Sequence, residues 1–478
     1  MLPFRGYHHK SNEHLILGRT GKYSFFPAFR IDHDVRKFHA YVVGLTGRGK
    51  SKFLQNLIVQ DIQANRGCAV IDPHGDLAKD VLRDLISKGH FHQSSVLGRF
   101  LYIAPRRRDY VVPYNVLNRH GHQTETYEIV QLVLSAFLRT WSQTLQEPPR
   151  FQQIMRNALA ALVETGGTLC DLYQLLTDDD YRQGKLEEIP NPDIGSSCKT
   201  FFENEFDRWG RDRAIMINSS TNKVTALTDN PNLFHMLRHK ENLINIRGAM
   251  DEGKVVLVDL GDCDDETKRL FGSLITNEFI HAAFSRARSK RGTRKPFYLY
   301  VDEFQDFVTH PGQAKTFSQM LSQVRKFGLH MILANQSIAQ LSPGLQTALG
   351  NAQTMVSFRI SRADAEVLAR ILGKVDTSAI KRENQTVSQH PVFSPLYEQW
   401  EDFIQLLTKL DVRQAVVKTA DDREAVIWPE KVMETNCSDE LLEEIITSIL
   451  KRHAKRNKQE RVVKEHKNPS PKVNLFTG

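Results

Sequence analysis

The sequence predicts an α/β chain with a mostly parallel central sheet, interrupted by an all-helical insertion. Three observations carry this. Seven short apolar runs, each closed by turn or polar residues, recur along the chain, and helical spacing fills most of the intervals between them. One run leads into AYVVGLTGRGKS, residues 40 to 51, which fits G-x-x-x-x-G-K-S, the pattern of a strand, a phosphate-binding loop and a helix. Between about residue 121 and residue 245 the strand signals stop and helical periodicity alone remains.

About forty residues precede the loop, room for a hairpin or two of about five-residue strands, so residues 1–37 read as a short β-rich extension. The core starts at residue 38. Tyr41, Val42 and Val43 form the apolar end of a strand, and FLQNLIVQDIQ, 53 to 63, supplies the helix behind the loop. CAVIDPHGD at 68 to 76 and FLYIAP at 100 to 105 complete the first part of the core, 38–120. In the insertion, 121–245, ETYEIVQLVLSAFL, RFQQIMRNALAALV and LCDLYQLL are helical in spacing, and Pro148 with Pro149 and the stretch from Ile189 to Gly195 divide them. The core resumes over 246–437 with VVLVDLGD at 255 to 262, FYLYVDE at 297 to 303, HMILANQ at 330 to 336 and TMVSFRI at 354 to 360, and QAVVKTA and EAVIWP read as a closing pair of strands. Residues 438–478 hold a last helix and a basic tail. Ser438 caps that helix, and Leu441, Leu442, Ile445, Ile446 and Ile449 give it one apolar face.

Composition narrows the function classes. No run of about 18 apolar residues exists to span a membrane, and the polar start MLPFRGYHHKSNEH lacks the apolar centre of a secretory signal, so the expected location is the cytoplasm. Cys68, Cys170, Cys198, Cys263 and Cys437 are scattered without a C-x-x-C pair, which argues against zinc and against a disulfide framework and suits buried small hydrophobes. His90 with His92, and His120 with His122, stand apart from cysteine and read as loop and surface residues. The net charge is +8, of which residues 451 to 478, with nine Lys/Arg and two Glu, carry +7. Such a tail suits nucleic acid or an acidic partner, and suits plain solubility equally.

The chemistry is that of nucleotide phosphates. Gly44, Gly47 and Gly49 allow backbone N–H groups to turn toward a phosphate, Lys50 adds a point charge, and the Ser51 hydroxyl can ligate magnesium. Thr46 and Arg48 complete the loop as nucleotide-binding candidates. Hydrolysis also requires a carboxylate near the metal and a group that orients or deprotonates water. FYLYVDEF offers both, with Asp302 for the metal and Glu303 for the water. Asp259 and Asp72 compete as strand-end carboxylates; Asp259 is followed by leucine, and both suit turn acceptors. Gln336, at the end of the next apolar strand, is the candidate sensor of the γ-phosphate, its strand expected beside the loop strand. Arg325 is a candidate arginine finger for a neighbouring subunit, with Arg359 and Arg362 as rivals. SRARSKRGTRKP, 285 to 296, reads as a basic helix end and solvated loop, with a nucleic-acid contact as the alternative.

GLTGRGKS, IDPHGDLA, the helical insertion, NIRGAMDEGKVVLVDLGD leading into YVDEFQDF, and SQVRKFGLHMILANQSIAQL together resemble the HerA/FtsK superfamily of P-loop motors, and within it the conjugative coupling ATPases of the TraG/TraD kind. The resemblance spans roughly residues 38 to 430. It implies a RecA-like core, a hexameric ring, ATP and Mg2+ bound between subunits, and DNA threaded through a pore without regard to base sequence. By position it gives Lys50 and Ser51 the phosphate and metal, Asp302 the metal, Glu303 the water, Gln336 the γ-phosphate and Arg325 a role in trans. Coupling proteins usually begin with membrane-spanning helices and HerA proper with a barrel, neither of which this sequence offers, so a soluble relative is expected.

The leading reading is an ATP-driven DNA translocase, its pore loop placed at Thr309 to Thr316. A nucleotide-gated ring that regulates a nuclease or other effector, and a protein-translocating ATPase, are the alternatives. Partners implied are DNA, further copies of the chain, and a relaxase, secretion channel or nuclease-type effector.

Overall fold

Strands buried on both faces read as continuous apolar runs, and seven such runs assemble here in parallel. The computed structural model describes residues 14–118, 124–141, 149–308, 320–321, 323–339, 341–350, 352–373, 395–433 and 435–456. Its strands are β1 (His14–Arg19), β2 (Ala28–Asp32), β3 (Ala40–Val43), β4 (Gly67–Asp72), β5 (Phe100–Ile103), β6 (Tyr110–Val111), β7 (Val255–Asp259), β8 (Phe297–Val301), β9 (Leu329–Asn335), β10 (Thr354–Ser357), β11 (Ala415–Lys418), β12 (Glu424–Ile427) and β13 (Lys455–Arg456). Nine of them form one sheet in the order β12-β11-β10-β3-β9-β8-β4-β7-β5. Pairing is parallel from β10 to β5, whereas β11 and β12 close the sheet antiparallel, as the two expected strands.

Register brings the carboxyl ends of the parallel strands to one edge. Val43 lies opposite both Asn335 and Ser357, Val301 opposite Leu333 and Ile71, and Asp72 opposite Asp259. Chain connectivity leaves a crevice at that edge, because β3 is followed in sequence by β4 while β9 and β8 intervene between them in space. The helix Lys50–Gln63 buries Phe53, Leu54, Leu57, Ile58 and Ile62, and the helix Asp265–Ser285 buries Leu270, Phe271, Leu274, Ile275 and Phe279.

β1 and β2 form an antiparallel hairpin stitched to the helix behind the loop, since the Gln60 amide accepts from Ile16 N–H at 2.9 Å and donates to its carbonyl at 3.0 Å. Below the hairpin a buried bidentate pair joins Arg36 to Asp61, both bonds 2.7 Å, and the Tyr300 hydroxyl donates to the same carboxylate at 2.7 Å. Burial would raise Asp61, but Arg36 overcomes it and holds the carboxyl below its ordinary value. Between β6 and β7 the described residues are helical without a strand, from Thr126–Thr140 to Pro231–Leu237. The first of these helices packs on the core, where Arg139 donates to Asn277 at 2.6 Å.

Several expectations need amendment. Ser438 does cap the last helix, Asp439–His453, but Leu441 points to solvent and Leu450 takes its place in the buried face, because the stripe turns with the 3.6-residue period. The basic tail starts later than residue 451: the helix runs to His453, and β13 pairs with β6. Residues 457–478, and His120 and His122, lie outside the described residues. Cys68 and Cys198 are buried, whereas Cys170, Cys263 and Cys437 are half-buried; all five are free thiols. Arg286 is wholly buried instead of solvated, donating to the carbonyls of Lys295 and Phe327 at 3.0 and 3.3 Å and pairing with Asp251 at 2.9 Å. Arg294 donates to the carbonyls of Lys326, Ala287 and Ser289, so these two arginines hold the loop together. Among the described residues no helix is long and apolar enough to cross a membrane.

Candidate active site

The phosphate loop joins β3 to the helix Lys50–Gln63 at the crevice edge. Two glycines are required there by geometry. Gly49 sits at φ 110, outside the range that suits a side chain, and a Cβ on Gly44 would come within 2.6 Å of Phe358 Cβ. The helix begins without a side-chain cap and without an acidic residue in its first turn. Among the described residues its leading N–H groups and positive dipole end therefore meet no capping side chain, the arrangement that binds phosphate.

Facing the loop, β8 delivers Asp302 and Glu303, and β9 delivers Gln336. Phe304 N–H donates to Ala334 O at 3.0 Å, which fastens the residues after β8 to β9. The Asn335 side chain accepts from the Tyr41 hydroxyl at 2.5 Å and donates to Ser337 O at 2.7 Å, fixing the turn from which Gln336 emerges. Lys50 Nζ lies 2.6 Å from Glu303 Oε1 and 3.4 Å from Asp302 Oδ1, all three residues buried. Gln336 Nε2 donates to Glu303 Oε1 at 3.1 Å, while Gln336 Oε1 accepts from Thr46 Oγ1 at 3.0 Å. Gln305 Nε2 donates to the other Glu303 oxygen at 2.8 Å. Glu303 adopts φ 44, a left-handed conformation costing a residue with a Cβ about 1–2 kcal/mol.

The two carboxyls shift in opposite directions. Burial pushes Asp302 above its ordinary value, with Lys50 opposing and Glu303 adding to the push. Burial acts the same way on Glu303, but Lys50, Gln305 and Gln336 outweigh it and hold that carboxyl low. Asp72 and Asp259 behave as turn acceptors. Asp72 takes the N–H groups of His74 and Ala78 at 3.0 and 2.9 Å, and burial raises it to about 6. Asp259 accepts from Gly261 N–H at 2.9 Å and from the Tyr102 hydroxyl.

Thus Thr46, Lys50, Asp302, Glu303 and Gln336 are brought together. Gly47, Arg48 and Ser51 lie on the same loop, exposed or half-exposed. Ser51 and Asp302 are hard oxygen donors on the two sides of the crevice, a set that fits magnesium. Arg325 is not among them. It precedes β9 and so stands at the opposite edge of the sheet, its guanidinium 5.0 Å from the Phe38 ring centre. His39 ties the same segment down: its Nδ1 accepts from Met331 N–H at 3.0 Å, so Nε2 carries the proton and donates to Leu321 O at 2.6 Å. Burial lowers His39 to about 4, which keeps that ring neutral. Arg359 lies on the loop's own flank, where its carbonyl accepts from Leu45 N–H at 3.0 Å, and Arg362 pairs with Glu366 and Glu401 at the surface. Thr309 to Thr316 lie outside the described residues. Sequence reading missed Gln305, which the DEFQ spacing could have suggested, and the closeness of Arg413 to the loop, which no local pattern signals.

Residues 28–279 match the family model described as helicase HerA, central domain, and residues 296–414 match the TraM recognition site of TraD and TraG. The bacterial conjugative coupling protein TrwB, in its unbound monoclinic form, is similar in fold with a TM-score of 0.56 at 15% identity, over 90% of this chain and 93% of that one. TrwB in complex with ADP and Mg2+ superposes with a TM-score of 0.52 at 14% identity, over 91% and 98% of the two chains. VirB4 of Thermoanaerobacter pseudethanolicus gives 0.55 at 14% identity, over 88% and 97%. No curated protein sequence matches this one. The HerA match alone runs over more than half of the chain and contains the phosphate loop, and the protein belongs to the HerA/FtsK-type P-loop ATPases.

Proposed function

We propose that the protein is an ATP-hydrolysing DNA translocase that works as a hexameric ring in the manner of its family. The observation that carries the reading is the convergence of Thr46, Lys50, Asp302, Glu303 and Gln336 at one sheet edge while Arg325 stands at the other. A γ-phosphate seated in the crevice would meet Lys50 and Gln336, and Ser51 with Asp302 would hold Mg2+. Bound magnesium supplies charge neutralisation at the β- and γ-phosphates. Glu303 accepts a proton from the attacking water, and Gln336, bonded to both Glu303 and Thr46, reports the terminal phosphate to that base. DNA as the substrate is supported by the helicase and coupling-protein families matched here.

The test is steady-state ATP hydrolysis with and without single- and double-stranded DNA, using Glu303→Gln as the blank. Stimulation that vanishes in the variant, and weakens as salt rises, fits a motor gripping phosphates. Turnover indifferent to DNA would move the assignment to a ring that regulates an effector or handles polypeptide. Arg325 is remote from its own loop, which supports a role at another copy's nucleotide. Arg325→Ala should cut turnover by on the order of 10³-fold in the assembled protein while leaving nucleotide binding intact. Unaltered turnover would pass the trans role to Arg359 or Arg362.

A further inference from the structure

Thr46, Glu303 and Gln336 mark the terminal-phosphate end of the site, and they come from the β3, β8 and β9 side. On the other side of β3 the sheet continues into β10 and β11. A nucleotide with its γ-phosphate among those three residues and its other phosphates along the loop would run its nucleoside end toward that flank. There the loop meets the turn that enters β11. Arg413 N–H donates to Arg48 O at 3.0 Å, and a Cβ placed on Gly49 would lie 3.5 Å from both Cα and Cγ of Arg413.

Two further features single Arg413 out. It holds φ 65, a backbone region that favours glycine and strains a residue with a side chain. Half-buried as a residue, it also makes no ion pair with a carboxylate among the described residues, unlike Arg362 beside Glu366 and Glu401. An arginine kept at a glycine-type position against a phosphate loop, with its cation uncommitted, is suited to an anionic, planar ligand. We propose that Arg413 is a nucleotide-binding residue that engages the nucleoside end of ATP and ADP, at the α-phosphate and base. The proposal rests on the reading of the crevice as the nucleotide site.

Arg413→Gly separates a ligand role from a structural one, because glycine relieves the strain while removing the guanidinium. Calorimetric titration of the full chain with ADP and with a non-hydrolysable ATP analogue should show both weakened by about tenfold or more, the worth of one charged hydrogen bond. The thermal midpoint without nucleotide should be equal or higher, and KM should rise by more than kcat falls. Arg413→Lys, which keeps the charge and loses the plane, should fall between. Wild-type affinity in Arg413→Gly, with Lys50→Ala unable to bind, would overturn the proposal and leave the site intact. Binding retained in both variants would sink the site itself. A lower midpoint without any nucleotide effect would assign Arg413 to loop packing, and a fall in kcat at constant KM would place it at the γ-phosphate; either outcome overturns the proposal.

Discussion

Glu303→Gln should bind ATP at least as tightly as the parent and hydrolyse it slower by about 10²–10⁴-fold, the usual worth of a positioned general base. The amide is nearly isosteric, so the turn at φ 44 and the bond from Gln305 can persist. What disappears is the proton acceptor and the anion that holds Lys50 at 2.6 Å. That contact competes with a phosphate for the lysine, so its loss favours binding. The wild-type carboxyl is kept low chiefly because Lys50 and its neighbours overcome burial. When a phosphate draws Lys50 away, the largest opposition to burial goes with it and the carboxyl moves up from its depressed value. Single-turnover hydrolysis together with nucleotide titration checks this. Hydrolysis within a factor of about ten of the parent would remove Glu303 from the base role.

Lys50→Ala should lose at least about tenfold in nucleotide affinity, since one charge-assisted contact to phosphate is removed. Its second effect is on the stability of the fold. Lys50 is the cation between two buried, adjacent carboxyls, and without it both sit uncompensated at a cost of about 3 kcal/mol. The sign with pH follows. In the parent, depressed Glu303 contributes stability above its ordinary value of 4.5 that is lost as pH falls through its lower folded value, whereas raised Asp302 costs stability above 3.8. In the variant the Lys50 charge no longer opposes burial at either carboxyl, so both folded values move up from those of the parent. The folded variant then holds protons that the folded parent has lost, and its stability falls relative to the parent as pH rises. Urea unfolding should therefore show a larger deficit relative to the parent at about pH 7.5 than at about pH 5. A deficit independent of pH would mean that Lys50 does not neutralise the pair, and unchanged affinity would mean that phosphate binds elsewhere.

Much of this site was legible in the sequence because its parts are local. GLTGRGKS, VDE and ILANQ each end an apolar strand, and parallel strands with helical crossovers must bring such ends to one edge. The seven parallel strands and the closing pair were readable for the same reason. Arg413 was not, since 363 residues separate it from Lys50 and only the antiparallel return of β11 brings its turn to the loop. The burial of Arg286 was equally hidden: a basic run looks solvated until its carbonyl partners at Lys295 and Phe327 are in place. The displacement of Leu441 shows how a five-residue apolar cluster, read without its packing partner, leaves the exact buried stripe undetermined.

The left-handed turn at Glu303 bears on how such a protein can evolve. Glycine or asparagine would occupy that backbone with less strain, so with Glu303 as the proposed base the local optimum for folding and the local requirement for hydrolysis disagree at one codon. Laboratory selection for thermostability alone would be expected to erase the carboxylate, whereas selection for turnover would retain it and accumulate compensating changes in the core. An amino acid maintained against that gradient through divergence would then be a signature of working ATPases, and its replacement a mark of lineages in which the protein has stopped hydrolysing nucleotide.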